Sequence, residues 1–295
     1  MFNLTYLSKK AAIQKQLSFI SPAKINLFFR VLCKRADEFH EIASLYQAIS
    51  LHDTISISHS EEDVFTCSDP MLLMDDKNLV CKALKLFRQK TGICDQLRIH
   101  LEKRIPIEAG LGGGSSNAAT ALWAFFQMFS LEISREELAS LGSLLGSDVP
   151  FFFSSGTAYC TGRGEKLTEV ILSDFLRSSS IWIAKPSKGL STRLVYSKVN
   201  PSQLSIRDPQ ESLSSFIKGK TPLFYNDLEE SAFFLYPDLE KIKRDLLDLG
   251  FDQVVMSGSG TSFFCIGTLD DLVLEGVEFF SINLIQKLNL RWYAL

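Results

Sequence analysis

The sequence predicts an α+β fold with two lobes, for three reasons. Strand patterns and helix patterns occur together in both halves of the chain. The length of 295 residues suits one large domain or two modest ones. A serine-rich run, Ser173–Ser180, separates two regions that each contain both patterns. We therefore expect an N-terminal extension at 1–17, a first domain at 18–172 and a second at 178–295.

Three strands are predicted in the first domain. Leu17–Cys33 has a strand pattern that Pro22 interrupts, because proline cannot donate to a strand ladder. The alternating residues of Thr54–Ser58 predict a second strand and those of Leu97–Leu101 a third.

Three helices are also predicted there. Asn78–Thr91 places its apolar residues on one helical face and is followed by Gly92. The Ala- and Leu-rich Ser116–Phe129 forms the second helix. The third, Ser134–Gly146, begins with a capping box in which Glu137 follows Ser134 by three residues.

The second half starts with turns and short strands at 151–166. A short buried strand is expected at Ile181–Ala184, and the polar segment Val199–Ser215 is expected to be a surface excursion. Pro237–Leu249 has the pattern of an amphipathic helix. Gln253–Met256 predicts a strand that turns tightly into another.

Composition excludes several classes of protein. Hydrophobic residues make up 46% and charged residues 22%, as in a soluble globular protein. The net charge of −3 gives no global field for binding nucleic acid or an anionic membrane. There is neither a secretory signal nor an apolar run near the ~20 residues of a membrane span. The six cysteines and four histidines lack metal-ligand spacing, which predicts reduced thiols, no protein metal site and a cytoplasmic location.

A glycine loop at 106–117, PIEAGLGGGSSN, carries the clearest chemical signal. Its clustered glycines let a ligand approach the main chain, and two serines open the following helix. The amide groups of that first helical turn favour an anion such as a nucleotide phosphate. The spacing differs from that of a Walker A loop, and the surroundings differ from a dinucleotide fingerprint.

The loop and two other motifs resemble those of the GHMP family of small-molecule kinases. SPAKIN at Ser21–Asn26 resembles the family's first motif, PIEAGLGGGSSNAA its phosphate-binding motif, and MSGSGT at Met256–Thr261 its third. These motifs occur in the family's order, and the resemblance covers about residues 18–267.

Two further segments narrow the resemblance. Arg35–Glu41 (RADEFHE) and Leu145–Phe152 (LGSDVPFF) resemble the GHMP members that act on a cytidine diphosphate-linked methylerythritol. This implies ATP-dependent phosphorylation of the 2-hydroxyl of that substrate, in the non-mevalonate route to isoprenoid precursors. It also implies the two-lobed GHMP-kinase fold, with an N-terminal lobe like a ribosomal-protein domain and a ferredoxin-like C-terminal lobe. We expect a monomer or weak homodimer with no nucleic-acid or membrane partner.

The resemblance assigns catalytic roles to Lys24 and Asp148. A carboxylate at Asp148 can accept the proton of the acceptor hydroxyl, although an aspartate before Val-Pro also suits a plain turn. Lys24 lies in an apolar strand, where a buried ammonium needs a partner, although it could also reach solvent from an edge strand.

The ligand-binding residues follow from the same resemblance. ATP with Mg²⁺ is expected at Pro106, Ile107, Glu108, Ala109, Gly110, Leu111, Gly112, Gly113, Gly114, Ser115 and Ser116, and at Asn78, Leu79 and Lys103. Lys103 could instead end a solvated strand. The cytidine substrate is expected at Asn26, Phe39, His40, Thr192, Tyr196, Ser257, Gly258 and Gly260. Two alternatives stay open. Tyr196 could simply pack in the core, and Ser257, Gly258 and Gly260 could form a tight turn that binds no ligand.

The chain departs from the family pattern at three places. Glu108-Ala109 replaces a small, glycine-rich pair, and it puts a negative charge near the loop unless Glu108 points outward. Glu38 and Phe39 stand where glycine and tyrosine are usual. No carboxylate for magnesium follows Ser116 in its helix, so Mg²⁺ would be held mainly by ATP phosphates and water, with Ser116 as the candidate protein ligand.

Three rival functions are considered. Another GHMP member could act on mevalonate, homoserine or a sugar, but Phe39, His40 and Tyr196 favour a cytidine ligand. A non-catalytic sensor is disfavoured because Lys24 and Asp148 are both present. A nucleic-acid binder is disfavoured by the charge.

Overall fold

The computed structural model describes residues 16–72, 75–174, 176–200, 204, 206–219, 222–269, 271–287 and 292–293. The predicted extension at 1–17 therefore lies almost wholly outside the described residues. Strands are β1 (Leu17–Lys34), β2 (His40–His59), β3 (Val64–Cys67), β4 (Leu97–Glu102), β5 (Thr157–Gly162), β6 (Lys166–Glu169), β7 (Ile181–Pro186), β8 (Tyr225–Asn226), β9 (Gln253–Met256), β10 (Phe263–Ile266) and β11 (Val277–Ile282). Helices are α1 (Leu79–Thr91), α2 (Gly113–Met128), α3 (Arg135–Ser143), α4 (Thr192–Ser197), α5 (Pro209–Lys218), α6 (Glu229–Leu235) and α7 (Asp238–Asp248), with 3₁₀ turns at Pro150–Phe153 and Leu176–Ser178.

Seven strands form the first sheet. Its order is β3-β4-β2-β1-β8, and β5 pairs with both β2 and β6. Apolar residues of α1 and α2, including Phe87 and Phe125, pack against Ile57 and Ile99 of the sheet. Burying this face explains why the amphipathic pattern of α1 and the apolar pattern of α2 both appear as helices.

The long β1–β2 pair corrects two expectations. Pro22 does not interrupt β1, because a register shift between Pro22 and Ala23 lets the strand continue. β2 begins at His40, well before the predicted Thr54, because most of its first residues are buried on both faces and so lack alternation.

Four antiparallel strands form the second sheet, in the order β11-β7-β10-β9. This is the strand order of a ferredoxin-like sheet. Among the described residues between β10 and β11, no helix connects the two strands. The two-lobed α+β prediction is confirmed, since both sheets carry helices of their own.

One expectation for the second half is wrong. The segment predicted as a surface excursion contains the start of α5. Asp208 caps the first turn of this helix, because its side chain accepts a hydrogen bond from the Gln210 amide. Pro209 then suits the first helical position, and Phe216 is fully buried. The capping box at Ser134 and Glu137, by contrast, is confirmed.

The two lobes are interleaved along the chain. β8 pairs in parallel with β1, although it lies more than 190 residues later. The Asp227 carboxylate accepts a 2.6 Å hydrogen bond from Arg30 and one of 2.9 Å from the Val31 amide. Near the C-terminus, the Trp292 indole donates to the Ile20 carbonyl of β1. Residues from the last quarter of the chain therefore complete the first lobe.

Candidate active site

The glycine loop runs from β4 into α2. Gly112 precedes the helix with φ 69°, and Gly110 has φ 77°, both in the left-handed region that favours glycine. The Leu111 carbonyl accepts from the Lys24 amide of β1 at 2.9 Å, which fixes the loop over that strand. The free amides at the start of α2 are therefore held in a fixed position at the loop.

A buried polar network lies beneath this loop. The Asp53 carboxylate is fully buried and accepts from the amides of Arg104 and Ile105 at 2.7 and 2.8 Å. Its other oxygen accepts from Lys103 and from the Asn117 amide group, each at 2.9 Å. Lys103 also donates to the Ile105 carbonyl. The ammonium of Lys103 thus joins β4, the loop and α2, and is not the solvated strand end that the sequence left open.

Two serines connect the network to β1. The Ser21 hydroxyl donates to the Ser116 hydroxyl at 2.9 Å and accepts from Asn117 at the same distance. Ser116 is fully buried, whereas Ser115 is half-buried. Ser115 therefore presents the more accessible hydroxyl at the loop.

Lys24 is 3% exposed and lies on the β1 side of the loop. Its Nζ donates a 2.7 Å hydrogen bond to Oδ1 of Asn26 and lies 3.6 Å from Oδ2 of Asp148. A Cβ placed on Gly112 would lie 3.0 Å from the Lys24 side chain, so the ammonium stem passes directly behind the loop. Burial lowers the pKa of Lys24, and the Asp148 carboxylate opposes that shift.

Asn26 extends the row of polar groups on β1. It is fully buried, and its Nδ2 donates to the Ser44 hydroxyl at 3.0 Å. Ser44 in turn donates to the Phe28 carbonyl. The chain of hydrogen bonds fixes Asn26 with its oxygen toward Lys24.

Asp148 lies between α3 and the 3₁₀ turn at Pro150–Phe153. Its neighbours Val149 and Phe151 are fully buried and anchor the turn, whereas the Asp148 side chain keeps 28% exposure. The Tyr46 hydroxyl donates to Oδ1 of Asp148 at 3.1 Å. One carboxylate oxygen is thus held by Tyr46, and the other faces Lys24 and the solvent-accessible side.

A serine-glycine loop, residues 257–262 between β9 and β10, packs on the glycine loop from the second lobe. The Ser257 hydroxyl donates to the Gly110 carbonyl at 3.1 Å, and the Ser262 amide donates to the Ala109 carbonyl at 3.2 Å. From β8, Asn226 donates to the carbonyls of Met256 and Gly258, each at 2.7 Å. The residues predicted as a substrate loop therefore meet the predicted phosphate loop backbone to backbone.

Gly258 approaches the charged centre most closely. A Cβ there would lie 3.2 Å from Oδ1 of Asn26 and 3.3 Å from Nζ of Lys24. Gly258 also has φ 57°. Any other residue at this position would crowd the ammonium.

The predicted base site gathers residues from both lobes. The rings of His40 and Tyr196 are 5.2 Å apart, with planes tilted by 33°. Burial lowers the pKa of His40, and the nearby Lys34 acts in the same direction. Phe39 is 52% exposed, and the Arg163 guanidinium lies 5.0 Å from its ring centroid. An exposed phenyl ring with a cation on it can take part in stacking with a planar base.

The remaining predicted residues lie around these two loops. The Thr192 hydroxyl at the start of α4 accepts from Ser259 of the serine-glycine loop at 2.8 Å. Asn78 caps α1 by accepting from the Val80 amide. A Cβ on Gly114 would lie 3.7 Å from Leu79, which places the start of α1 beside the glycine loop.

The structure locates two departures from the family pattern. Glu108 has φ 54° and rests on Gly189, where a Cβ would lie 2.8 Å from Oε2 of Glu108. Its charge raises the pKa of Lys185 against a larger lowering by burial. Glu108 therefore points to the second lobe. Glu38 has φ 66°, which explains why glycine suits that position.

Family models match both lobes. The model described as "GHMP kinases N terminal domain" matches residues 78–156, and "GHMP kinases C terminal" matches residues 211–279. A relative from Protochlamydia amoebophila, called 4-diphosphocytidyl-2-C-methyl-D-erythritol kinase, is 49% identical over 278 residues, covering 94% of this chain and 93% of the relative.

The chain belongs to the 4-diphosphocytidyl-2-C-methyl-D-erythritol kinase family, within the GHMP kinases.

Other members of the 4-diphosphocytidyl-2-C-methyl-D-erythritol kinase family agree with this assignment. The Chlamydia muridarum relative is 42% identical, covering 84% of each chain. The chloroplastic relative of Arabidopsis thaliana is 38% identical, covering 96% of this chain and 78% of that one. A crystal structure of 4-(cytidine 5'-diphospho)-2C-methyl-D-erythritol kinase matches with a TM-score of 0.74 and 31% identity, covering 91% of this chain and 99% of the other. A homoserine kinase structure with 16% identity and a TM-score of 0.68, covering 96% of this chain and 98% of that one, shares the fold.

Sequence reasoning about this kinase missed three polar residues that organise the site: Asp53, Tyr46 and Asn226. Asp53 directly precedes the predicted strand Thr54–Ser58. A carboxylate at the start of a strand with a buried face needs a partner if it is buried, and this is the signal that could have drawn attention to Asp53. Tyr46 lies in an apolar run that reads as core. Asn226 is separated from its partners in β9 and the serine-glycine loop by about 30 residues, and no local pattern marks it.

Proposed function

We propose that this chain transfers the γ-phosphate of ATP to the 2-hydroxyl of 4-diphosphocytidyl-2-C-methyl-D-erythritol. The observation that carries the proposal is the meeting of three groups from separate segments. The Lys24 ammonium passes behind Gly112 of the glycine loop and lies 3.6 Å from Asp148. A cation and a carboxylate at the end of a phosphate-binding loop are what hydroxyl phosphorylation requires.

The glycine loop and the start of α2 form the ATP side of the site. Few side chains obstruct the approach of a phosphate to the main-chain amides from Gly112 to Ser115. The helix dipole favours negative charge at this end of α2. Leu79 lies beside Gly114 of this loop, and Asn78, Leu79 and Pro106 are proposed to hold the adenosine. Lys103 is proposed to support the glycine loop from beneath and not to contact ATP directly, because its ammonium is paired with Asp53.

The acceptor hydroxyl is proposed to lie between Asp148 and the loop. As its oxygen forms a bond to the γ-phosphorus, the bond from that phosphorus to the β–γ bridging oxygen breaks and ADP leaves. The hydroxyl proton passes to Asp148, whose Oδ2 is not held by Tyr46. Lys24 stabilises the negative charge on the transferring group, and Asn26 fixes the ammonium in place.

Mg²⁺ is proposed to accompany ATP. Among the described residues, no cluster of three His, Cys, Asp or Glu side chains could hold a metal ion. Asp53, the carboxylate under the loop, already accepts four hydrogen bonds. The donor set therefore suits a magnesium ion held mainly by phosphate oxygens and water. At the loop, the half-buried Ser115 hydroxyl replaces the expected Ser116 as the candidate protein ligand, because Ser116 is fully buried and bonded to Ser21. The ion supplies charge neutralisation on the phosphates.

The cytidine end of the acceptor is proposed to bind at Phe39, His40 and Tyr196. Phe39 presents an exposed ring, and Tyr196 closes the site from the second lobe next to His40. Because the lowered pKa keeps the imidazole neutral near pH 7, His40 can both donate and accept when it contacts the base edge. Thr192 and the serine-glycine loop lie between this end and the phosphates.

A cytoplasmic location is proposed for this chain. No helix among the described residues is long and apolar enough to cross a membrane. The six cysteines are all unpaired, which suits a reducing compartment such as the cytoplasm. A monomer or weak homodimer is expected, and light scattering during size-exclusion chromatography at two concentrations tests this.

The function is tested by following ADP release and phosphorylated product with the cytidine substrate, and with mevalonate and homoserine as controls. Product formed only from the cytidine substrate, with competition by CTP, supports the proposal. Comparable turnover of mevalonate or homoserine would place the chain elsewhere in the GHMP superfamily.

A further inference from the structure

Tyr46 joins the two charged residues of the site. Its hydroxyl donates to Oδ1 of Asp148 at 3.1 Å, and the Lys24 ammonium lies 4.7 Å from its ring centroid. Tyr46 comes from β2, Lys24 from β1 and Asp148 from the turn after α3. One side chain thus contacts both groups proposed to act on the phosphate and the acceptor.

Packing alone does not account for a tyrosine at this position. The side chain is 2% exposed, and its ring packs edge-on against Phe151 at 5.4 Å, a contact that phenylalanine could make equally well. A buried hydroxyl without a partner is costly, so the hydroxyl needs an acceptor. The acceptor that the structure provides is Asp148.

The surroundings keep this hydroxyl in its donor state. Burial raises the pKa of Tyr46 well above its usual value, and the Asp148 carboxylate adds to that shift. Gly164 of the β5–β6 turn lies so close that a Cβ would be 3.1 Å from the Tyr46 oxygen and 3.5 Å from Oδ1 of Asp148. Gly164 therefore packs directly over the Tyr46–Asp148 hydrogen bond. A larger residue at position 164 would push the two side chains apart.

We propose that Tyr46 is a positioning residue that holds one oxygen of Asp148 and leaves the other for the proton of the acceptor hydroxyl. The inference rests on the proposed function, because it assigns Tyr46 a role only if Asp148 serves the acceptor. The hydrogen bond fixes the rotation of the carboxylate. The ring face supports the Lys24 ammonium at the same time.

Titratable side chains from several elements face Asp148 within the described part of the chain. Lys24 of β1 lies 3.6 Å from one carboxylate oxygen, and the Tyr46 hydroxyl of β2 donates to the other. Cys160 of β5 and Tyr196 of α4 interact electrostatically with the carboxylate, and burial raises the pKa of each, so both stay neutral around pH 7. Removing the Tyr46 hydroxyl therefore takes away the hydrogen bond that holds Oδ1 of Asp148.

The test uses Tyr46→Phe in the full chain. We expect kcat to fall about tenfold, which corresponds to ~1.4 kcal/mol, because the hydrogen bond that orients the carboxylate is lost. KM for ATP and for the acceptor should stay within about twofold.

Tyr225→Phe is the matched control. Tyr225 is also buried, and its hydroxyl makes a hydrogen bond with Ser212 at 3.2 Å, away from the proposed site. The Tyr225→Phe change removes the same kind of hydroxyl and should leave kcat and both KM values unchanged. Wild-type kcat in Tyr46→Phe would overturn the inference, and so would equal effects on kcat in the two variants.

A second measurement separates this inference from the proposed function. A wild-type chain that does not phosphorylate the cytidine substrate refutes the proposed function alone. The contact is then examined by thermal unfolding of Tyr46→Phe, Asp148→Ala and the double variant. Non-additive shifts in Tm support the coupling of the pair, and additive shifts overturn it.

Discussion

Gly110 and Ser257 pack so tightly that a Cβ on Gly110 would lie 1.9 Å from the Ser257 carbonyl oxygen. The contact joins the glycine loop of the first lobe to the serine-glycine loop of the second. Gly260 faces it in the same way, since a Cβ there would lie 2.0 Å from the Gly110 nitrogen. The two loops thus share one tightly packed backbone interface.

Gly110→Ala should therefore destabilise the protein by more than ~3 kcal/mol, because the added methyl overlaps main-chain atoms and the residue has a positive φ. Denaturant unfolding measures the change. Gly114→Ala serves as the control: its Cβ makes only an ordinary contact, and alanine is favoured within α2. Similar stability for the two variants would contradict the close approach of the loops.

Asp148→Asn should lower kcat by about 10³-fold while ATP binding is retained. The amide keeps the shape of the side chain and cannot accept the hydroxyl proton, a loss typical of general-base removal. Steady-state kinetics give kcat, and titration calorimetry gives the affinity for ATP. A rate near that of the wild type would remove Asp148 from the chemistry.

Lys103→Met should destabilise the fold by ~3–5 kcal/mol, because it leaves the fully buried Asp53 carboxylate without its cation. Loss of the brace under the glycine loop should also raise KM for ATP. Lys85→Met is the matched change in an exposed pair, since Lys85 lies 2.6 Å from Asp76 at the surface. It should cost under ~1 kcal/mol. If the two variants unfold alike, Lys103 is a surface residue in solution.

His40→Ala should raise KM for the cytidine substrate with little change in KM for ATP. An effect confined to ATP would show that the two halves of the site are reversed.

His40 should also make the folding stability of the wild-type chain depend on pH. Its pKa is lowered in the fold, so the unfolded chain binds the proton more readily. The stability that neutral His40 contributes is complete above the unfolded pKa of ~6.5 and declines as the pH falls toward the lower folded value. The Tm of the wild type should therefore drop more steeply between about pH 7 and 5 than that of His40→Ala. Parallel curves would show that the imidazole is not buried in its neutral form.

The sequence predicted the fold well wherever structure depends on neighbours in the chain. The capping box of Ser134 and the Gly92 stop of α1 are local signals, and each is present in the structure. β2 was predicted only from Thr54 onward, because a strand covered on both faces loses its alternation. α5 was missed because the polar composition around it outweighed the start signal of Asp208 and Pro209.

The candidate site was predictable as separate motifs and not as an arrangement. Catalytic roles were expected for both Lys24 and Asp148, and the structure brings the two side chains together across more than 120 residues of chain. The role of Lys103 changed, because its partner Asp53 carries no motif. Tyr46 lies in an apolar strand, where the sequence gives no sign of a polar role. Its hydroxyl finds its acceptor only in the fold, where β2 lies beside the turn that carries Asp148.

The parallel pairing of β8 with β1 also governs how the chain is made. A ribosome delivers residues 17–169 long before Tyr225 and Asn226, so the first sheet waits with the edge of β1 exposed. Trp292, whose indole donates to the Ile20 carbonyl, is made later still. During synthesis, the first sheet therefore stays incomplete until the chain has been made past Asn226. A chain that stops before Tyr225 would leave this edge of β1 without its native partner strand.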